Sequence, residues 1–416
     1  MILVLKNSWA LLFGILLLMV GNGLQGTLLG VRGEMEGFST MEMSIVMSSY
    51  FVGFLGASRM VPELIRRVGH VRVFAALASF VSAVLILYPA WANPWAWAVG
   101  RVIIGFAYCG VYVTAESWLN NAATNETRGQ ALSAYMIATT LGIIVAQGLL
   151  LLADPGGYTL FIIISVLVSV SFAPILLSIS PTPAFDSTTP MQLTKLLKTS
   201  PLGCIGMFLM GGIFAAQFGM SAVFATKIGL SLGQLSAFVA AFYVGGLILQ
   251  YPIGWLSDRM DRRALICIIA SAGAIAALLP LLVGTYFYLL LVSAFVIGGM
   301  SNPLYSLLIA HTNDFLAVDD MAASSSGLLF INGLGAILGP IVVGQVMDLM
   351  GAQGFFVIIV VLLGMLGGYA AYRRTRRAAV EDTMSYANVS PTSSMMAVEI
   401  AQEYAIETAA EEEAAT

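Results

Sequence analysis

Apolar residues fill this chain in long unbroken runs, and its charges come in short bursts between them. Uncharged stretches of 25 residues separate Lys6 from Arg32 and Arg128 from Asp154. Stretches of 28 separate Arg72 from Arg101 and Lys198 from Lys227. The longest, Ala264–Ala310, runs for 47 residues. A helix needs about 20 apolar residues to cross a bilayer, so each run predicts one membrane span or, where long, two. The 47-residue run holds two, broken at "VGTYF" near Gly284. The pattern as a whole predicts twelve spans, at 8–30, 41–61, 72–90, 95–118, 129–152, 158–179, 202–226, 234–256, 264–283, 286–310, 321–346 and 354–372. The fold class is therefore all-α and polytopic. The first run exceeds a signal-peptide core and shows no cleavage site, so it counts as a membrane helix.

Composition leaves no soluble alternative. Charged residues make up 10% of the chain, against roughly 25% in an average protein. Mean hydropathy is +0.91. Nothing points to nucleic acid. Cys109, Cys204 and Cys267 all fall in predicted spans, with no disulfide or metal spacing, and no cofactor is expected. The partners expected are membrane lipid and a small-molecule substrate, with proton or ion coupling left open and a monomer as the working state.

The placement of charge sets the topology. Lys6, Arg66, Arg67, Arg72, Arg128, Lys195, Lys198, Arg259, Arg262, Arg263, Arg373, Arg374, Arg376 and Arg377 fall on one side of the twelve-span pattern. Only Arg32 and Lys227 fall on the other. The positive-inside rule makes the first side cytoplasmic, with both termini there, in an inner (cytoplasmic) membrane. The net charge of −4 is uneven: residues 1–377 carry 18 bases and 14 acids, and residues 378–416 carry eight acids and no base.

The chain also repeats itself. A shift of 192 lays Ser48–Gly53 ("SSYFVG") on Ala240–Gly245 ("AAFYVG"), Gln25 on Gln217, and "RRVGHVR" (Arg66–Arg72) on "DRMDRRA" (Asp258–Ala264). A shift of 193 lays Leu141–Gln147 on Leu334–Pro340 and Tyr112 on Tyr305. A near-constant offset at five places marks two copies of one unit. The expected organisation is a six-helix bundle over 1–180, a central loop over 181–200, a second bundle over 201–377 and an acidic tail over 378–416.

"GWLSDRMDRR" (Gly254–Arg263) matches the loop motif Gly-x-x-x-Asp-Arg-x-x-Arg-Arg, and "RVIIG" (Arg101–Gly105) matches a fourth-helix Arg-x-x-x-Gly pattern. On these motifs the chain, over about residues 8–372, resembles the major facilitator superfamily. "SSYFVG", "RRVGH", "ESWLN" and "RGQALSAYM" resemble its YcaD-like branch. The resemblance implies a 6+6 fold: two pseudo-symmetric bundles of six transmembrane helices rocking about a midplane site. It further implies that Asp258, with Gly254, Arg259, Arg262 and Arg263, holds a cytoplasmic gate. Asp258 would meet the start of span five at Arg128, joined by Glu116. In the first-half copy Arg66 replaces the aspartate, and Asp319 and Asp320 precede span eleven. A sign-swapped pair, Arg66 with Asp320, is the corresponding expectation; the plainer alternatives are topology charges and a helix cap.

An ionisable residue inside a span is expensive and marks function by default. Arg101 is the clear case. Tyr108, Tyr112 and Glu116 follow it at helical spacing on one face, although Arg101 and Glu116 lie about 22 Å apart along the axis. The planar guanidinium suits a carboxylate or phosphate, so Arg101 is a candidate anion anchor or coupling residue. Its structural alternative is an arginine bonded to helix carbonyls or polar neighbours. Asn22 and Gln25 share a face of span one, and Gln217 is the symmetric partner of Gln25. With Tyr50, Tyr243, Asn302, Tyr305 and Asn332 they could ring a cavity, or act singly as helix–helix contacts. No carboxylate sits at a span midpoint. His311 reads as a solvated histidine at the end of span ten. Gly335, Gly339 and Pro340 mark close packing or a kink in span eleven. The tail reads as disordered, or as a short amphipathic helix within 394–413 carrying Met396, Ile400, Tyr404 and Glu407.

The main reading is a secondary active transporter of a small solute working by alternating access. The alternatives are an exporter of drug-like or lipid-like compounds and a non-transporting receptor on the same scaffold. An intramembrane enzyme would need a nucleophile–base pair or metal ligands in the spans, which the sequence does not offer.

Overall fold

In the computed structural model, residues 2–122, 125–173, 191–316, 318–376, 386, 389, 394, 396–398 and 400–402 are described. Among them the chain forms α1 (Ile2–Met35), α2 (Thr40–Val68), α3 (His70–Ala90), α4 (Pro94–Ala122), α5 (Asn125–Leu149) and α6 (Thr159–Ser171). A short α7 (Leu193–Thr199) precedes α8 (Pro201–Lys227), and α9 (Leu232–Ser257), α10 (Arg262–Val283), α11 (Phe287–Asn313), α12 (Val318–Met350) and α13 (Gly354–Arg374) follow. Eleven of these are long and apolar enough to span a membrane, and α6 is a shorter apolar helix. Each predicted span falls on one helix. Residues 174–179, the predicted end of the sixth, lie outside the described residues.

Local chemistry explains the boundaries. Ser39 and Glu42 form a reciprocal capping box at the start of α2: the Glu42 amide donates to Ser39 Oγ at 3.2 Å, and the Ser39 amide to Glu42 Oε2 at 2.8 Å. α2 runs on past Arg59 and ends at Gly69, whose φ of +86° a side chain would resist. Gly284, φ +111°, ends α10 where the long apolar run was expected to break.

The internal repeat is visible as packing. A Cβ at Gly53 would lie 1.9 Å from the Val102 carbonyl oxygen, and one at Gly105 would lie 1.9 Å from that of Tyr50, so α2 and α4 cross backbone to backbone. The second half repeats this between α9 and α11: Gly245 against Phe295 O at 1.9 Å, and Gly298 against Phe242 O at 2.0 Å. Each residue sits 192 or 193 positions from its counterpart. Close approach through small residues is how helices gain dispersion contacts in lipid, where burial gives little drive.

The chain packs as two compact units. The first comprises Met1–Ser187, Ala215–Ala240 and Ile337–Phe355; the second comprises Thr188–Phe214, Ala241–Ala336 and Phe356–Thr416. This division does not follow the sequence halves. Parts of α8, α9 and α12 belong to the first unit because they bond to α1, α2 and α5. Ser48 Oγ donates to the Ile337 carbonyl at 2.5 Å, and Ser236 Oγ donates to the Gln147 carbonyl. Gly344 lies so near α2 that a Cβ there would be 2.6 Å from Ser44 Cβ.

Candidate functional site

In the first unit, α1, α2 and α4 build one polar network around Arg101. Arg101 lies seven residues into α4, about 10 Å along the axis, and is 4% exposed. Its Nη1 donates to Gln25 Oε1 at 2.9 Å. Gln25 Nε2 donates to Asn22 Oδ1 at 3.1 Å, one turn back on α1. Asn22 Nδ2 donates to Tyr112 Oη at 2.7 Å, returning the chain of bonds to α4. From α2, Met47 Sδ accepts from Arg101 Nη2 at 3.7 Å, and the Tyr50 ring lies 4.8 Å from the guanidinium carbon. Tyr108 Oη donates to the Leu18 carbonyl at 3.4 Å.

Arg101 is thus surrounded only by neutral groups. Among the described residues no carboxylate pairs with it, and its buried Nε has no hydrogen-bond partner. A buried donor left unmade costs about 1–3 kcal/mol, and a charged one more. This is an unusual expense for a residue serving only to hold helices together.

Gln217 is also buried in this unit, within a π-helical segment of α8, Ala216–Met220. π-segments occur often at functional sites. This one abuts Met47: a Cβ at Gly219 would lie 3.1 Å from Met47 Cβ. The sequence reading missed Met47. Its position, three residues before Tyr50 on the same helix, is the signal that could have found it.

The second-half candidates are placed differently. Asn332 Nδ2 donates to the Met207 carbonyl at 3.0 Å, a contact between α12 and α8. Asn302, on α11, lies against α9, where a Cβ at Gly246 would meet its Nδ2 at 1.8 Å. Tyr305 is fully buried with its ring 6.1 Å from that of Phe214, and Tyr243 is half-buried. These belong to the second unit, and Asn332 takes the helix–helix role that the sequence left open for it.

The loop-motif charges are organised within the second unit. Asp261 caps α10, accepting from the Arg263 amide at 3.0 Å and from Arg263 Nε at 3.1 Å. Partial burial pushes its carboxyl up, but the Arg263 bonds outweigh this and hold it below the usual carboxylate value. Arg262 is buried and pairs with Asp314, also buried, and lies 3.9 Å from Asp258. Arg259 lies over the Trp255 ring at 4.1 Å. Asp258 accepts from the Tyr386 amide at 2.9 Å, and the Tyr386 ring covers Gly254.

The other gate candidates have local partners. Arg66 and Arg67 both bond Glu63, at 2.8 and 2.6 Å, and Asp320 bonds Lys195 at 2.9 Å. Arg66 and Asp320, which the sequence reading paired, each have these partners within their own unit, Glu63 one turn away in the first case. Glu116 is buried and accepts from Tyr135 Oη at 2.6 Å. The side chains of Arg128 and Asp319 lie outside the described residues. His311 is buried within α11 with its ring 5.1 Å from Phe315, not solvated, because α11 extends past it to Asn313. In the tail, Met396, Ala397, Val398, Ile400, Ala401 and Gln402 are helical, and all but half-buried Met396 are buried, where the sequence favoured disorder. Tyr404 and Glu407 lie outside the described residues.

The family model for the Major Facilitator Superfamily matches residues 11–225 and 202–388. The chain belongs to the Major Facilitator Superfamily. Its members are membrane transporters, and this chain is one by family. It is similar to a protein of Escherichia fergusonii named Uncharacterized MFS-type transporter YcaD, at 25% identity over 84% of this chain and 91% of the relative. Among solved structures it resembles a mutant of the nucleoside transporter NupG, with TM-score 0.77, 16% identity and coverage of 88% of this chain and 100% of that one. It also resembles a bacterial homolog of the human lysosomal transporter Spinster in an inward-facing, unoccupied conformation, with TM-score 0.67, 12% identity and coverage of 96% and 97%. At these identities the two structures speak for the superfamily fold alone.

Proposed function

We propose that this transporter is a secondary active carrier of a small anionic solute, working by alternating access across the cytoplasmic membrane with both termini inside. Arg101 anchors the solute's anionic group, and Gln25, Asn22, Tyr50 and Tyr112 orient it. The observation that carries this reading is a buried guanidinium with neutral neighbours only and a free Nε. An arriving carboxylate would satisfy that charge and accept from the planar fork, a geometry arginine matches better than lysine. Asp258 and the charges around it serve the cytoplasmic gate, and the bonds from Ser48 and Ser236 serve the outer one.

A second reading, export of hydrophobic compounds, is favoured by an aromatic run beside the same arginine. The rings of Tyr50 and Phe54 lie 6.1 Å apart, those of Phe54 and Tyr112 6.2 Å, and those of Tyr108 and Tyr112 5.9 Å.

The test is accumulation in proteoliposomes from a defined mixture of small carboxylates, sulfonates, sugars and hydrophobic cations, read by mass spectrometry for wild type and Arg101→Gln. The proposal expects an anion to accumulate with wild type and not with the variant. Accumulation of hydrophobic cations by both proteins would favour the exporter. Ligand binding without flux would favour a receptor.

A further inference from the structure

The C-terminal segment lies outside the internal repeat, yet its described residues are buried, apart from half-buried Tyr386 and Met396. Val389, Ser394, Ala397, Val398, Ile400 and Ala401 are each at most 2% exposed. The segment is tied to the second unit at three separate helices. On α11 a single hydroxyl brackets its backbone: the Val389 amide donates to Ser306 Oγ at 3.0 Å, and Ser306 Oγ donates to the Val389 carbonyl at 2.9 Å. Farther along, Gln402 Nε2 donates to Asn313 Oδ1 at 3.3 Å on α11, to the Met321 carbonyl at 3.4 Å on α12, and to Ser325 Oγ. At its near end the Tyr386 amide donates to Asp258 Oδ1 at 2.9 Å, just past α9. The Tyr386 ring fills the space over Gly254, where any Cβ would stand 2.7 Å from it. Burial pushes the Tyr386 hydroxyl up from its ordinary pKa, so it stays neutral there.

Two features distinguish this from a chain end that happens to lie on a surface. Backbone and side-chain groups of the segment bond the unit at Tyr386, Val389 and Gln402, bonds that a disordered acidic tail would make to water, while Gln402 Oε1 and the Tyr386 hydroxyl are buried without a partner. Contact also falls on the two motif positions, Gly254 and Asp258, that the family resemblance assigns to the gate. The Asp258 oxygen that accepts from Tyr386 cannot at the same moment serve another donor along the same direction.

We propose that the described residues of this segment, Tyr386, Val389, Ser394, 396–398 and 400–402, form an intramolecular latch. The segment docks across the loop-motif end of the second unit, over α9, α11 and α12, and withholds Asp258 until it leaves. Its docking stands by itself; the withholding of Asp258 rests on the gate role given above.

Hydrogen–deuterium exchange on the full-length protein tests it. Val398→Asp with Ala401→Asp places charge in the docked face, and Ser306→Ala removes the bracket from the helix side. Both variants should exchange in the tail and in residues 306–313 and 320–326 roughly tenfold faster than wild type, with α1 to α4 unchanged. The unchanged helices distinguish release from misfolding. Equal exchange in wild type and both variants, with the wild-type tail at an unstructured rate, would overturn the latch. A spin-label pair on the loops of the first unit, Glu34→Cys with Gln353→Cys, separates the second claim. Release should add a longer-distance population, and Asp258→Ala should prevent it. If exchange responds but these distances do not, the docked tail stands and the withholding of Asp258 fails.

Discussion

Arg101 reaches Gln25, and through it Asn22 and Tyr112, yet no acid answers its charge among the described residues. Supplying an acid from the protein should therefore mimic the solute. Gln25→Glu places a carboxylate where Oε1 already accepts at 2.9 Å. The variant should melt higher than wild type in detergent and lose its response to anions. Gln25→Ala should melt lower, by the equivalent of about 1–3 kcal/mol for a second orphaned donor. Equal anion responses in wild type and Gln25→Glu would contradict the anchor.

The glycine crossings should be intolerant in matched pairs. Gly53→Ala and Gly245→Ala each drive a methyl within 1.9 Å of a carbonyl oxygen on the facing helix, so the helices must part. A loss of about 3 kcal/mol is expected for each, from overpacking with no flexible side chain to yield. Gly56→Ala is the control, since nothing lies within 4 Å of its added carbon. Thermal melts of the three purified variants check this.

The contact between α2 and α12 should be capturable covalently. Disulfides favour Cβ atoms about 3.8 Å apart, and a Cβ at Gly344 would sit 2.6 Å from that of Ser44, a gap closed by a small shift. Ser44→Cys with Gly344→Cys, in a background lacking Cys109, Cys204 and Cys267, should oxidise readily. Alternating access then requires the oxidised protein to be inactive and dithiothreitol to restore flux. Flux that survives complete oxidation would argue against a moving gate at this place.

Asp261 should contribute stability only where it is ionised. Its carboxyl sits below the ordinary value in the folded chain, so its contribution is full above about pH 4 and is lost as pH falls through the lower folded value. Asp261→Ala should lower stability by about 1 kcal/mol at pH 7, the worth of a helix cap. The difference from wild type should shrink progressively as pH falls below about 4. Melting curves of both proteins across that range report it.

Much of this was legible from the chain. Hydropathy alone placed the helices, because lipid demands long uncharged runs. The offset already laid Gly53 on Gly245, and the structure shows the same offset joining Gly105 to Gly298 at the matching helix crossing. Asn22, Gln25 and Tyr112, which join Arg101 in one network of bonds, carry their helical spacing in the sequence. The rest depended on tertiary choices. Met47 is apolar by type and becomes a ligand only because α2 crosses α4 there. Asp314 lies 52 residues from Arg262, and no local rule joins them. Arg66 bonds Glu63 one turn away, a local pairing that the symmetry argument did not consider. The tail's burial depends on pockets in α11 and α12, which its own acidic composition does not reveal.

The central claim is that Arg101 receives an anion. Ligand-induced thermal stabilisation, screened over small carboxylates, sulfonates, sugars and hydrophobic cations on purified wild type and Arg101→Gln, tests it most directly. At 100 times its dissociation constant a true ligand adds about 2.7 kcal/mol to stability, which a melting shift resolves. The account predicts that at least one anion raises the melting temperature of wild type and leaves Arg101→Gln unmoved. Stabilisation of both proteins to the same extent, by anions or by hydrophobic cations, would contradict it.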